Sequence, residues 1–239
     1  MTSARLTMRD RPAPDGRLRR ADLPWLMALS LAHLLLTKLS ATSLDYPSLG
    51  VQGSLVWLPN GLALAALLVR GRKYWPAVLL GAFIGFWWVG HPPGLSLAQL
   101  LTGAVGVALG KTLGPYLVVG WLQRVPSFDA ALVRAHDYWW LSLLGTAGAL
   151  VNATIGSAAM WLAGAIQRPS TLAATILDVW MGDVLAVVMF VPVLLVWRRP
   201  PFGSVGTGRS VEVAVGLGLA ALMGQVVLVG WQGDWLGNV

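Results

Sequence analysis

Long apolar runs separated by short polar turns make up most of the chain, and this pattern predicts membrane-spanning helices. A helix of about 20 apolar residues is long enough to cross a ~30 Å hydrocarbon core. We predict seven spans, with approximate bounds 24–39, 51–69, 75–89, 97–121, 138–162, 175–197 and 211–230. The expected fold class is therefore all-α: a polytopic transmembrane helical bundle of about seven spans.

The second predicted span contains an unusual interruption, Pro59-Asn60-Gly61. A helix from Trp57 to the end of this apolar run would have about 13 residues, too few to cross the core. We therefore place its start near residue 51, which puts Pro59 and Asn60 inside the membrane. A backbone break at that depth survives only where protein or a water-lined cavity satisfies the freed groups. The pattern thus predicts a broken helix bordering a protein-lined or water-lined site.

Basic residues fall on one side of this topology. Fourteen of the 17 Lys and Arg residues lie in the segments that we assign to the inner side: Arg5, Arg9, Arg11, Arg17, Arg19, Arg20, Arg70, Arg72, Lys73, Arg124, Arg134, Arg198, Arg199 and Arg209. The outer segments hold only Arg168. This bias predicts a cytoplasmic N-terminus. Residues 1–20 are polar and Arg-rich, so we expect a disordered basic cytoplasmic tail followed by a membrane domain over 21–239.

Composition narrows the class of protein. The chain is 56% hydrophobic and 11% charged, against roughly 25% charged residues in soluble domains. A net charge of +7 can indicate nucleic-acid binding, but here the charge lies in loops at span ends, so we expect no nucleic-acid partner. The chain has no Cys, its three His residues lie in separate segments, and no nucleophile–base pair or phosphate loop is present. We therefore expect no metal, no cofactor and no enzyme activity.

Four polar residues from four spans are predicted to share one level of the membrane. Counted from the inner span ends, Asn60 and Lys111 lie about 15 Å deep, and Asn152 and Asp183 lie about 21 Å deep. A charge at the membrane centre costs at least about 2.5 kcal/mol, so it should be paired or face a cavity. We hypothesise a Lys111–Asp183 ion pair bordering a small ligand-binding pocket, with Asn60 on one wall. The alternatives are a purely structural pair, or a snorkelling Lys111 with Asp183 capping a helix.

Small residues recur at helical spacing in two neighbouring spans. They are Gly106, Gly110 and Gly114 in the fourth span and Gly148 and Gly156, on either side of Asn152, in the fifth. Such faces let membrane helices approach closely. We therefore predict that the fourth and fifth spans pack along this seam.

Four segments carry a family resemblance. They are residues 57–68, with Trp57, Pro59 and Gly61; the turn 71–76, ending in Trp75 and Pro76; residues 110–113; and residues 180–185, with Gly182 and Asp183. In these segments the chain resembles the MASE1 family of membrane-associated sensor domains. The matching blocks lie within residues 50–197.

The resemblance implies a function and a location. Members of that family are integral membrane sensory modules of bacteria, usually placed before a histidine kinase or diguanylate cyclase. For this chain, the resemblance implies an inner-membrane domain that binds a small ligand or a membrane partner. Such a domain would relay helix rearrangement to a cytoplasmic output. Two departures concern the site: Lys111 stands where the family often has Asn, and Gly114-Pro115 replaces an expected acidic residue. Because the family commonly has about eight spans, the chain is expected to be either a truncated form or fragment that lacks a last span and an output domain, or a standalone relative.

Two other function classes remain open at this point. Broken helices and midplane charges also suit a small transporter or channel, although the sequence has no evident inverted repeat. The glycine seams also suit a structural subunit of a membrane complex. The expected partners are the lipid bilayer, a second copy of the chain or another membrane protein, and a small-molecule ligand of unknown identity.

Overall fold

A computed structural model of the chain describes residues 17–44, 54–89 and 94–197. Within these ranges the chain folds into helices: α1 (Leu23–Ser43), α2 (Leu58–Arg70), α3 (Trp75–Val89), α4 (Leu97–Leu122), α5 (Ala135–Leu162), α6 (Pro169–Leu185) and α7 (Val191–Trp197). A π-helical turn, Ala186–Phe190, joins α6 to α7 without a break. Among the described residues, four helical stretches are long and apolar enough to cross a membrane: Arg20–Thr42, Leu97–Leu122, Ala135–Leu162 and Pro169–Val196.

The first helix, α1, carries its apolar side chains outward and its polar side chains inward. Its exposed face holds Met27, Leu31, Leu35 and Leu39. Its buried face holds His33, Thr37 and Ser40. A helix on a water-soluble protein would bury the apolar face instead. The α1 surface is therefore suited to a hydrocarbon environment.

The short helix α2 lies at the centre of the bundle. It packs against α1, α4, the π-helical turn and α7. Eight of its 13 residues are buried, which is possible only because other helices surround it. The remaining neighbours follow chain order, with α3 between α1 and α4, and α5 between α4 and α6.

The packing of α4 against α5 depends on the predicted small residues. A Cβ atom added to Gly114 would lie 2.7 Å from the Gly148 carbonyl oxygen, and one added to Gly110 would lie 2.9 Å from the Asn152 carbonyl oxygen. Neither distance is compatible with a real side chain. The prediction of a close α4–α5 seam is therefore confirmed.

The structure corrects the start of the second predicted span. Its helix begins at Leu58 rather than near residue 51, since residues 54–57 are not helical. Pro59 therefore does not break a helix; it occupies the first turn, where its missing N–H removes no helical hydrogen bond. The broken-helix prediction was wrong in form, because α2 is instead a short helix that begins inside the bundle.

The other predicted bounds agree more closely. The third span coincides with α3, and the fourth ends one residue early relative to α4. The sixth was predicted to start near residue 175, but α6 starts at Pro169, a residue that suits the first helical turn. The seventh predicted span lies outside the described residues, as do residues 1–16 of the predicted tail.

Candidate functional site

Two charged side chains from α4 and α6 meet in the interior of the bundle. Lys111 Nζ lies 3.2 Å from Asp183 Oδ1 and 3.4 Å from Asp183 Oδ2. The Asp183 side chain is fully buried, and that of Lys111 is only 9% exposed. The predicted ion pair is thus present in the structure, and each charge is compensated where water has little access.

A third helix contributes to the same pair. Asn152 on α5 is 1% exposed, and its Nδ2 donates a hydrogen bond to Asp183 Oδ2. The Asp183 carboxylate therefore accepts from both α4 and α5. Hydrogen bonds to a charged group are stronger than those between neutral groups. This arrangement fixes α6 against its two neighbours at one level.

The segment before α2 closes the remaining side of Lys111. The Lys111 ammonium lies 4.8 Å from the centroid of the Trp57 ring, which is cation–π geometry. The backbone N–H of Trp57 donates a 3.0 Å hydrogen bond to the Gly182 carbonyl oxygen. A Cβ atom at Gly182 would lie 2.5 Å from the Ser54 carbonyl oxygen. Gly182 is thus needed for this segment to reach α6 beside Asp183.

The non-helical backbone before α2 is satisfied by α1. Ser40 Oγ accepts a 3.1 Å hydrogen bond from the Leu58 N–H at the start of α2, and the same N–H lies 3.2 Å from the Val56 carbonyl oxygen. Ser54 Oγ donates to the Ser40 carbonyl oxygen at 3.0 Å. Irregular backbone is tolerated at membrane depth when protein groups supply such partners. The short length of α2 is therefore compatible with a position inside a membrane domain.

Asn60, the fourth predicted site residue, is buried in the first turn of α2 at 3% exposure. Its N–H donates to the Trp57 carbonyl oxygen at 3.1 Å. Among the described residues, its Oδ1 atom has no hydrogen-bond partner, and it is not bonded to Lys111 or Asp183. Three of the four predicted polar residues therefore form one cluster, and Asn60 lies outside its hydrogen bonds. The ligand-binding role of all four stays a prediction.

The motif residues of the family resemblance occupy packing positions. Gly61 faces the π-helical turn, since a Cβ atom there would lie 3.0 Å from the Ala186 carbonyl oxygen. Pro59 is buried in the first turn of α2. Trp75 and Pro76 begin α3, with Trp75 42% exposed on the outer surface. These residues shape α2 and the α2–α3 turn, while Trp57 and Gly182 alone among them reach the ion pair.

Sequence reasoning missed a buried histidine on α1. His33 is 1% exposed, and among the described residues its Nε2 atom has no hydrogen-bond partner. The Thr37 hydroxyl donates to the His33 carbonyl oxygen at 2.8 Å. The available signal was the spacing of His33, Thr37 and Ser40, which places three polar residues on one face of an otherwise apolar helix. When the histidines are considered only as possible metal ligands, this polar face of α1 is overlooked.

The cluster holds three helices together through one buried carboxylate. Within the described ranges, no group of three or more His, Cys, Asp or Glu residues is placed to hold a metal ion. The Lys111–Asp183 pair joins α4 to α6. Asn152 contacts the pair from α5, and Trp57 contacts it from the segment before α2.

Comparison with known proteins gives one match. The MASE1 family model matches residues 25–236 of this chain, which is most of its length. No curated protein and no solved structure matches it.

Proposed function

The chain belongs to the MASE1 family of membrane-associated sensory domains, and on that basis we propose that its Lys111–Asp183 cluster is the signal-input site. A small polar ligand or a partner membrane protein acts there and shifts the packing of α4, α5 and α6. The shift passes through a further span, the eighth that the family commonly has, to a cytoplasmic kinase or cyclase output. The domain performs no chemistry of its own in this proposal.

The proposed topology follows the distribution of charge. The domain lies in the bacterial inner membrane with seven spans and a cytoplasmic N-terminus. In support, the ends of α1, α2 and α3 that were assigned to the cytoplasm meet in the structure, where Lys73 Nζ lies 2.7 Å from Asp22 Oδ2. A homodimer or a hetero-complex in the membrane is the form in which the rearrangement acts.

The observation that carries the proposal is the set of contacts around one carboxylate. Asp183 on α6 binds Lys111 on α4 and Asn152 on α5, and Lys111 also faces Trp57 before α2. A ligand can shift a conformational equilibrium only by its different affinity for the two states. A group that competes for Lys111 or Asp183 has that difference, because the contacts it replaces exist only in the packed arrangement.

The test separates signalling from folding. We replace Lys111 and Asp183 together by Leu in a fusion of this chain to an output domain, and we measure output activity, membrane insertion and thermal stability. We expect an inserted, stable and unresponsive protein, since the double variant removes both charges without leaving either unpaired. The matched control is K73Q/D22N, which removes the other Lys–Asp pair and should respond normally. A normal response of K111L/D183L would overturn the site assignment.

One observation favours a transporter as the second candidate. α2 is a short helix that begins inside the bundle close to buried charges, as do the discontinuous helices of many transporters. Flux through proteoliposomes that contain the full chain distinguishes the two. Binding without flux supports the sensor, and substrate uptake that depends on Asp183 supports the transporter.

A further inference from the structure

The α2–α3 turn carries two arginines whose guanidinium groups are stacked on aromatic rings. Arg70 lies 3.5 Å from the centroid of the Trp25 ring on α1, and Arg72 lies 3.6 Å from the centroid of the Tyr116 ring on α4. A Cβ atom at Gly120 would lie 3.3 Å from the nearest Arg72 nitrogen, so Gly120 leaves room for this guanidinium. Each guanidinium group therefore lies over an aromatic ring, which restricts its position.

Arg72 has no counter-charge among the described residues. No salt bridge or hydrogen bond joins its side chain to another described group, and its Nε atom is buried without a partner. A buried donor without an acceptor is unfavourable by about 1–3 kcal/mol. The Arg72 side chain as a whole is only half-buried, so the rest of its guanidinium group is open to an acceptor from outside the described residues.

The carboxylates at this end of the bundle already accept hydrogen bonds from other groups. Asp22 accepts from Lys73 Nζ at 2.7 Å and from the Tyr74 hydroxyl at 2.6 Å. Burial and the Asp22 hydrogen bond raise the pKa of Tyr74, which keeps this hydroxyl a donor at neutral pH. Asp137 accepts from Arg134 at 2.9 Å, and Asp129 accepts from the Ala131 N–H at 3.0 Å. None of these hydrogen bonds to the three carboxylates comes from Arg72.

The surroundings of the turn are those of a membrane surface. Arg72 lies two residues after α2 ends and three before α3 begins, so it is at a helix end. Trp25 is 52% exposed and Trp75 is 42% exposed on the outer face of the same end. Large exposed rings beside basic side chains are typical of the level of lipid headgroups. Basic pockets between membrane helices at this level bind anionic headgroups.

We propose that Arg72 binds the phosphate of an anionic phospholipid headgroup at the α2–α3 turn. The planar guanidinium offers two parallel N–H donors that match two phosphate oxygens. Tyr116 and Gly120 fix that plane before the lipid arrives, so little side-chain entropy is lost on binding. This inference depends on the membrane location of the chain and is independent of its role as a sensor.

The experiment compares lipid retention by the full chain in a mild neutral detergent. Phosphatidylglycerol or phosphatidylcholine is added, and bound lipid is counted by native mass spectrometry while thermal unfolding is followed. We expect R72Q to reduce the preference for phosphatidylglycerol by about fivefold. R124Q is the matched control, because Arg124 is an exposed arginine near the same end without a stacked ring, and it should keep the preference. Equal retention by R72Q and the native chain would overturn the proposal.

Two further measurements keep the test decisive. If R72Q does not fold, R72K replaces it; lysine keeps the charge but lacks the fork, so the preference should still fall. Full preference in R72K would overturn the guanidinium site. Inorganic phosphate is added to lipid-free protein as the second arm. Stabilisation by phosphate equal to that by phosphatidylglycerol would overturn the lipid assignment, and weaker stabilisation supports it.

Discussion

Two Lys–Asp ion pairs lie in opposite surroundings in this molecule. Lys73 and Asp22 are 2.7 Å apart at the end of the bundle, with side chains 15% and 13% exposed. Lys111 and Asp183 are 3.2 Å apart in its interior, with side chains 9% and 0% exposed. The outer pair is shorter, yet both of its side chains keep some exposure at the bundle end, where solvent can screen and solvate them. The inner pair is longer, but no water is available to solvate either of its charges if the other is removed.

The comparison shows that location, more than distance, sets the importance of an ion pair. The inner pair loses hydration of both ions, so the attraction between them offsets a penalty more than it adds stability. The outer pair loses little and gains little. Removing one partner should therefore have very different effects in the two places.

The largest expected effect is that of breaking the inner pair from one side. D183L leaves Lys111 without its carboxylate, and we expect a loss of about 3–5 kcal/mol in the free energy of unfolding. The double variant K111L/D183L should recover most of that loss, since no charge stays unpaired. Denaturant or thermal unfolding in detergent measures the cycle. A double variant as unstable as D183L would show that the pair is not the unit of stability.

A smaller effect is expected from moving the inner pair without altering it. G182A forces the Ser54 carbonyl away from α6 and weakens the Trp57–Gly182 hydrogen bond, which should cost about 1–3 kcal/mol. G156A is the matched control, because a Cβ atom there meets only Val107 atoms at 3.9 Å. We expect G156A to stay within about 0.5 kcal/mol of the native chain. Equal effects of the two substitutions would contradict the role of Gly182.

The smallest expected effect belongs to the outer pair. K73Q should change the free energy of unfolding by about 0–1 kcal/mol, and high salt should reduce the difference further. The inner pair should respond little to salt, because ions do not reach it. Unfolding of K73Q and of the native chain at low and high salt measures this. A salt-insensitive loss of several kcal/mol in K73Q would remove the contrast between the two pairs.

Much of the fold follows from local features of the sequence. The bounds of α3 agree with the predicted third span, because apolar runs between basic or Pro-containing turns have few alternatives in a membrane. The α4–α5 seam also follows from the sequence, since Gly110 and Gly114 form a small-residue face that lets another helix approach closely. The Lys111–Asp183 pair was predictable because an unpaired charge at that depth is too unfavourable to persist.

The start of α2 was not predictable in the same way. Its first N–H is satisfied by Ser40 on α1, and the segment before it is held by Gly182 on α6. These partners lie 18 residues and more than 100 residues away in the chain. The predicted start was based only on the length that a membrane span requires, which takes no account of such distant partners. The helix was therefore predicted to begin near residue 51.

The amino-acid sequence alone determines that the chain lies in a membrane, where its helices approximately lie, and that its buried charges must be paired. Each of these depends on the free energy of moving a single segment or side chain from water into the membrane. Only the folded arrangement settles which groups share a space. It brings Asn152 and Trp57 to the ion pair, leaves Asn60 outside its hydrogen bonds, and turns His33 inward. These outcomes depend on how the helices pack in three dimensions, because that packing decides which polar groups lie close enough to interact.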